Sequence, residues 1–295
     1  MTLILIAAVA HATWNLFTKQ ASVTGGTSFV WLISLAATAV YTPVVAVSLA
    51  LGPPRLTSLS WVFLAGTGLL QVGYFLFLQS GYRLGDLSLV YPVGRGSGAL
   101  LAALAGIVLL GERPGPAGVA GIVLVVLGVL VLGVPGRSAP PGTRPPGTRP
   151  ASGPPASRAL VFALVTGVFI ATYTLWDKYA VSTLKVPALL QGYASLPVMA
   201  LVLAPFALRS RQRTVRVWRD YPRQVAGAAM LYPLAYILVL AAMSFTAVSA
   251  VAPAREVSVL AGVLLGRRML GEGGLARRLA AAAAIAAGII CLAVG

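Results

Sequence analysis

The sequence predicts an all-α membrane protein with ten transmembrane helices, arranged as two inverted repeats of five helices each. Three observations lead to this prediction: the composition, ten long apolar segments, and a second half that repeats the first. Of the 295 residues, 58% are hydrophobic and only 9% are charged, whereas about 25% of the residues of a soluble domain are charged. So few charges cannot cover a surface that faces water, and the expected surroundings are therefore a lipid bilayer.

The remaining composition excludes several classes of function. A net charge of +16 would suggest nucleic acid as the partner of a soluble protein, but here the basic residues lie between apolar segments and are expected to contact anionic headgroups. Cys291 is the only cysteine and His11 the only histidine, and the apolar segments contain no pair of acids. We therefore expect no nucleic-acid partner, no enzyme active site, no metal and no other cofactor.

Ten apolar segments approach or exceed the length of about 20 residues that a helix needs to cross the hydrocarbon core. They are 2–18, 28–50, 60–80, 87–110, 116–134, 159–177, 186–208, 224–243, 246–266 and 279–295. No basic residue precedes the first segment, so we interpret it as a retained helix and not as a signal peptide. Glycine and proline inside the segments are tolerated, because neighbouring helices satisfy the freed backbone groups.

Residues 135–158 differ in kind, because half of these 24 residues are proline or glycine. Such a stretch is typical of an extended or disordered linker. The linker divides the chain into a first five-helix repeat, 1–134, and a second one, 159–295.

The two halves resemble each other at one offset. Residues 12–19 align with 171–178, with four identical positions and two further aromatic pairs. Arg95 precedes a Gly-Glu pair by 17 residues, and Arg255 precedes a second Gly-Glu pair by the same distance. With five spans in each repeat, the second half enters the membrane from the opposite side. This is the inverted repeat that alternating-access transporters commonly use.

Several motifs carry a resemblance to a known family. They are HAxWNxxxK at 11–19, YPxxR at 91–95, LGER at 110–113, AP at 252–253 and LGE at 270–272. In this order they resemble EamA-type members of the drug/metabolite transporter superfamily. The resemblance implies ten helices and a central cavity lined by the first, third, fourth, sixth, eighth and ninth. The first segment contains no acid, unlike that of the small multidrug relatives, so their proton/cation exchange is not implied.

The resemblance implies a multi-pass protein of the plasma membrane that moves a small metabolite, such as an amino acid or another anion-bearing compound, by alternating access. A flippase for lipid-linked headgroups or a membrane scaffold without transport activity is the alternative. The small-molecule substrate, the direction of transport, the coupling ion and the choice between monomer and homodimer stay open at this point.

Two arginines and one acid lie inside apolar segments. A charge at the membrane centre costs about 2.5–3.5 kcal/mol, and such a residue faces a cavity or a partner. Arg95 and Arg255 occupy corresponding places in the two repeats, and a guanidinium can bind both oxygens of a carboxylate or phosphate. They bind an anionic substrate in one interpretation. In the other they are structural, and Glu256 neutralises one of them.

Further candidates follow from polar and aromatic positions. His11, Trp14 and Asn15 share one face of the first helix, which lines a cavity or forms interhelical hydrogen bonds. The substrate-binding candidates besides the arginines are Trp14, Asn15, Tyr91, Tyr173 and Tyr236. The coupling candidates are Glu256, Asp177 and His11. Aromatic and polar side chains at Gln71, Tyr74 and Tyr232 line the same cavity or belong to the interfacial aromatic belt.

Two smaller motifs have structural interpretations. Glu112 and Glu272 lie at segment ends and are expected to cap helices or to face the interface. The glycines of Gly94-x-x-x-Gly98 are expected to allow close packing of two helices.

The charge distribution bears on orientation. Loops that follow the odd-numbered segments contain 16 Lys and Arg residues, and the other loops contain four. The positive-inside rule then predicts both termini outside the cytoplasm, whereas the family resemblance implies both inside.

Overall fold

The structure is a computed structural model that describes residues 2–84, 87–133 and 154–255, together with helical residues between 280 and 291. All the elements assigned in these residues are α-helices. Their bounds are α1 Thr2–Leu51, α2 Ser58–Leu84, α3 Leu87–Leu109, α4 Pro116–Gly133, α5 Pro154–Ser182, α6 Ala188–Arg209, α7 Arg211–Asp220, α8 Pro222–Met243 and α9 Val248–Ala254.

The predicted class of an all-helical membrane protein is confirmed. Within the described residues, five helical stretches are long and apolar enough to cross a membrane: Gly26–Leu51, Ser58–Gly81, Ser157–Ser182, Ala188–Arg209 and Pro222–Met243. Two shorter apolar stretches are Val93–Leu109 and Pro116–Val131. The count of ten spans and the inverted repeat stay predictions, since the ninth apolar segment is described only as far as Arg255.

The first two apolar segments meet inside α1. Gly26 has φ 44° and ψ −126° in the middle of this element, so α1 consists of two helical parts joined at one residue. Glycine adopts a positive φ without the steric cost that other residues incur. The break lies between the segments 2–18 and 28–50, where the sequence places a boundary between two helices.

Two elements differ from the sequence-based prediction. Residues 209–223 were expected to be a basic loop, but Arg211–Asp220 form α7, whose Thr214 and Val217 are buried. The Thr214 hydroxyl donates to Ser28 Oγ at 3.0 Å, and this long-range contact holds the helix against α1. In addition, α5 begins at Pro154, inside the predicted linker 135–158, because proline is well suited to the first turn of a helix. The linker before that point lies outside the described residues.

The two halves of the chain interleave. The most extensive helix pairings are α1 with α8, α3 with α5, and α2 with α5, and each joins a helix of the first half to one of the second. Glycines bring α3 and α5 together: a Cβ at Gly98 would lie 2.7 Å from Ile170 Cβ, and one at Gly94 would lie 3.2 Å from the Ala163 carbonyl oxygen. The expected close packing through these two glycines is confirmed.

One packing motif occurs twice, at corresponding places in the two halves. The Phe17 ring of α1 lies against Gly227 of α8, and the Trp176 ring of α5 lies against Gly66 of α2. Phe17 and Trp176 are equivalent in the alignment of 12–19 with 171–178. The aromatic ring of one half therefore fills the space above a glycine of the other, in both directions.

Glu112 joins the halves at a third place. Its carboxylate accepts the N–H of Val248 at 2.7 Å and the N–H of Ser249 at 2.8 Å. These are among the first N–H groups of α9, which have no partner within their own helix. The interpretation of Glu112 as a capping residue is confirmed, although the capped helix lies 136 residues further along the chain. Glu272 lies outside the described residues.

We expect Gly66→Ala to destabilise the fold, because its methyl group would overlap the indole of Trp176. Overpacking of this kind costs about 1–3 kcal/mol. The measurement is the melting temperature in detergent, followed by circular dichroism. Gly52→Ala is the matched control, since a Cβ there meets nothing within 4 Å. Equal melting temperatures for the two variants would contradict the packing argument.

Candidate functional site

A cavity lies where the two halves meet. Its lining residues in the described part of the chain are Ala7, His11, Trp14, Gln71, Tyr74, Phe75, Arg95, Tyr173, Tyr232, Ala235, Tyr236, Val239 and Arg255. They belong to α1, α2, α3, α5 and α8 and to the residue that follows α9. In the order of the ten apolar segments these are the first, third, fourth, sixth, eighth and ninth, the same six that the family resemblance implies.

Two arginines reach this cavity from opposite halves. Arg95 is 3% exposed and Arg255 is 6% exposed. The Arg255 guanidinium donates from Nη2 to the Tyr173 hydroxyl at 3.4 Å, and its Cζ lies 5.9 Å from the centre of the Tyr173 ring. None of the described lining residues is acidic. The cavity therefore combines two buried cations with a wall that contributes no negative charge.

Aromatic rings form much of the wall. The Trp14 Nε1–H donates to His11 Nδ1 at 3.1 Å, and the Trp14 ring meets the Tyr232 ring edge-on at 5.2 Å between centroids. The Tyr173 ring makes further edge contacts, at 5.9 Å with Tyr74 and at 6.4 Å with Tyr236. Edge-to-face pairs at these separations are favourable and hold the rings in fixed orientations.

Gln71 places an amide at the cavity. Its Oε1 accepts a hydrogen bond from the Tyr232 hydroxyl, whereas its Nε2 is buried and has no hydrogen-bond partner among the described residues. A buried donor without a partner is costly, and such a group favours a ligand that can accept its hydrogen. Gln71, Tyr74 and Tyr232 are buried in the cavity wall, so their alternative assignment to the interfacial belt is wrong.

Asp177 lies behind the wall, one residue removed from the cavity. Its carboxylate accepts hydrogen bonds from the Tyr236 hydroxyl and, at 2.9 Å, from Gln191 Nε2. Thr67 Oγ1 lies 3.2 Å from the Tyr236 hydroxyl. Tyr236 therefore has two faces, since its ring lines the cavity while its hydroxyl binds the buried acid.

The structure brings most of the sequence-predicted residues together. Those that line the cavity are His11, Trp14, Arg95, Tyr173, Tyr236 and Arg255. Asn15 lies on α1 and Tyr91 on α3, where only the backbone is described. Asp177 contacts the cavity through Tyr236, and Glu256 lies outside the described residues.

Three participants were not identified from the sequence. Phe75 lines the cavity, and Thr67 and Gln191 hold the Tyr236–Asp177 pair. Gln191 carried a usable signal, because an amide inside the apolar segment 186–208 faces protein and not lipid. Thr67 and Phe75 carried none, because threonine and phenylalanine are common on every face of a membrane helix.

Comparisons with known proteins agree with this arrangement. The profile of the EamA-like transporter family matches residues 1–134 and 157–294. A solved crystal structure, described only as that of a protein, is similar with a TM-score of 0.74 and 20% identity, and the match covers 99% of this chain and 96% of that one. At this identity the likeness concerns the fold alone. No curated protein matches the sequence.

We expect Tyr232→Phe to lower the melting temperature in detergent, because it removes the donor to Gln71 Oε1 in a buried place. An unsatisfied buried polar group costs about 1–3 kcal/mol. Tyr41→Phe is the control, since the Tyr41 hydroxyl donates to the Met230 carbonyl oxygen at a more exposed position. The double variant Gln71→Leu/Tyr232→Phe should recover part of the loss. A Tyr232→Phe protein as stable as Tyr41→Phe would show that this bond contributes little.

Proposed function

We propose that this chain, which belongs to the EamA-like transporter family, moves a small metabolite with an anionic group across the plasma membrane by alternating access. The match to the family covers both halves of the chain, so the resemblance read from the sequence is confirmed and the chain is a multi-pass membrane protein. The observation that carries the finer proposal is the presence of Arg95 and Arg255 in one buried cavity.

The electrostatics of the cavity favour an anion. Two guanidinium groups lie among aromatic rings, away from the screening effect of bulk water, and the described wall has no carboxylate. A guanidinium presents two parallel N–H groups to a carboxylate or phosphate. The free amide hydrogens of Gln71 supply a further donor at the same place. A ligand that accepts hydrogen bonds and carries negative charge would satisfy all of these groups.

The rest of the wall favours an organic substrate of modest size. Trp14, Tyr74, Phe75 and Val239 present apolar surface to the cavity. Ligand sites of this kind combine apolar walls with a few well-placed polar groups. An amino acid or another organic acid has both parts, a charged group for the arginines and a carbon skeleton for the rings.

The position of the cavity between the halves supports alternating access. The two packing contacts of Phe17 with Gly227 and of Trp176 with Gly66 join the halves at corresponding places. In transporters built from inverted repeats, the repeats rock against each other around a site near the midplane. A substrate bound by Arg95 and Arg255 touches both halves and would move from one side to the other as they rock.

The test is transport by the purified protein in liposomes. Proteoliposomes and empty liposomes are incubated with an extract of soluble cell metabolites, and the retained compounds are identified by mass spectrometry. We expect the compounds enriched by the protein to share a carboxylate or phosphate. Enrichment only of cations without an acidic group would overturn the proposal, as would retention equal to that of empty liposomes.

We expect Arg95→Lys or Arg255→Lys to reduce flux of the identified anion about tenfold or more, because hydrogen bonds to charged groups contribute about 1.5–3 kcal/mol and an ammonium lacks the planar fork. Flux is normalised to the amount of folded protein. Arg55→Lys, at an exposed position between α1 and α2, is the matched control and should transport at the wild-type rate. Wild-type flux in both cavity variants would exclude recognition by a bidentate arginine.

Orientation gives a separate prediction. The loops after odd-numbered segments contain 16 of the loop Lys and Arg residues and the others four, so we expect the C-terminus on the non-cytoplasmic side. Fusions of a periplasm-active phosphatase and of a cytoplasm-active fluorescent protein to the C-terminus measure this in a bacterial host. Fluorescence without phosphatase activity would show that the termini are inside, as the family resemblance implies.

A further inference from the structure

Asp177 is a buried acid in a membrane-spanning helix, and the cavity lining does not include it. It is 1% exposed and lies in the span Ser157–Ser182. A carboxylate in such a place is costly when charged unless it is paired or well hydrogen-bonded, and acids of this kind commonly serve in ion or proton pathways. The hydrogen-bonding partners of Asp177 are both neutral, the Tyr236 hydroxyl and the Gln191 amide.

The charged and titratable groups around Asp177 come from several helices. Tyr236 of α8 donates to it directly. Arg255, after α9, acts on it electrostatically, as its guanidinium donates to the Tyr173 hydroxyl on the cavity side. Lys178 is adjacent in sequence but is directed elsewhere, because its Nζ donates to the carbonyl oxygens of Met243 and Thr246 at 2.8 Å each. The α2 and α6 neighbours, Thr67 and Gln191, are uncharged.

We propose that Asp177 binds a proton that is carried together with the anionic substrate, so that this carboxylate is the coupling site of the transport cycle. The inference rests on the proposed function for its second half only. The binding of a proton at Asp177 is a property of the protein alone and can be measured without any substrate.

The donor geometry favours a proton over a metal ion. Hard cations such as Mg²⁺ and Ca²⁺ require several oxygen ligands directed at one point, whereas Tyr236 and Gln191 both present hydrogens to the carboxylate. Gln191 also offers a place for the extra hydrogen. Its Oε1 is buried and has no hydrogen-bond partner among the described residues, so a half-turn of the amide would let it accept the O–H of a protonated Asp177.

Tyr236 connects this acid to the substrate. An anion bound beside Arg255 and Tyr236 would compete with Asp177 for the hydrogen of the Tyr236 hydroxyl. When Tyr236 turns its O–H bond toward the substrate, the carboxylate loses a donor and gains a nearby negative charge. Both changes favour the protonated acid. A proton from water on the open side then forms an O–H bond on Asp177, Tyr236 keeps its own proton, and release of the substrate reverses both steps.

The first experiment uses infrared difference spectroscopy on the full-length protein in lipid, with the buffer switched between acidic and alkaline. We expect Asp177→Asn to lose a carbonyl-stretch band of a protonated carboxylic acid that the wild type shows. Asp220→Asn is the matched control, because Asp220 is exposed at the end of α7, and it should keep that band. Tyr236→Phe should shift the frequency of the band, since Tyr236 donates to this carboxyl group. Identical difference spectra for wild type and Asp177→Asn would overturn the proton site.

The second experiment measures coupling. Proteoliposomes loaded with a pH-sensitive dye receive the same metabolite extract, and the protons moved per retained anion are compared. We expect this ratio to fall to the background value in Asp177→Asn and to stay at the wild-type value in Asp220→Asn. A wild-type ratio in Asp177→Asn would overturn coupling at this residue. If Asp177→Asn retains no anion, the infrared result decides, with circular dichroism as the check on folding.

The two proposals can fail separately. A protein that shows the Asp177 band but retains no anion has the proton site without the proposed function. A protein that retains anions but shows no Asp177 band has the proposed function without this coupling site.

Discussion

The absence of water from the hydrocarbon core is the constraint on which the rest of this structure depends. A polar group in that region finds its partner in the protein or remains unsatisfied, at a cost of several kcal/mol. The backbone meets this condition by being helical throughout the predicted spans that the structure describes. The embedded side chains meet it by facing inward. Arg95, Arg255 and Asp177 are all buried, and their inward orientation produces the cavity and the acid behind it.

Close contact between the two halves follows from small residues facing large ones. Lipid tails are as apolar as the helix surfaces, so helices associate in a membrane through packing and hydrogen bonds. The glycines of α3 allow its backbone to approach α5, and this approach sets Arg95 into the wall beside Tyr173. The same principle places Phe17 and Trp176 over glycines of the opposite half. Packing therefore fixes the position of the cationic groups as well as the stability of the fold.

Separation of the arginines from the acid gives the site its chemical character. An arginine paired directly with Asp177 would leave neither free to respond to a ligand, because a buried ion pair is held tightly once both charges are desolvated. Instead, Tyr236 stands between the cavity and Asp177, and Lys178 is held by the last carbonyl groups of α8. The neutral tyrosine transmits the presence of a bound anion to the acid as a change in one hydrogen bond.

The sequence by itself determined the lipid environment, the helical segments and the two arginines as candidates, because composition, segment length and a buried charge are properties of single stretches of chain. It also indicated the repeat, through the matches at one offset. Only the tertiary structure decided that α7 is a helix held by Ser28, that Glu112 caps a helix 136 residues away, and that Tyr236 joins the cavity to Asp177. Gln71 and Tyr232, 161 residues apart, form one hydrogen bond. Such contacts depend on which faces of distant helices meet, and the pattern within any one segment does not encode this choice.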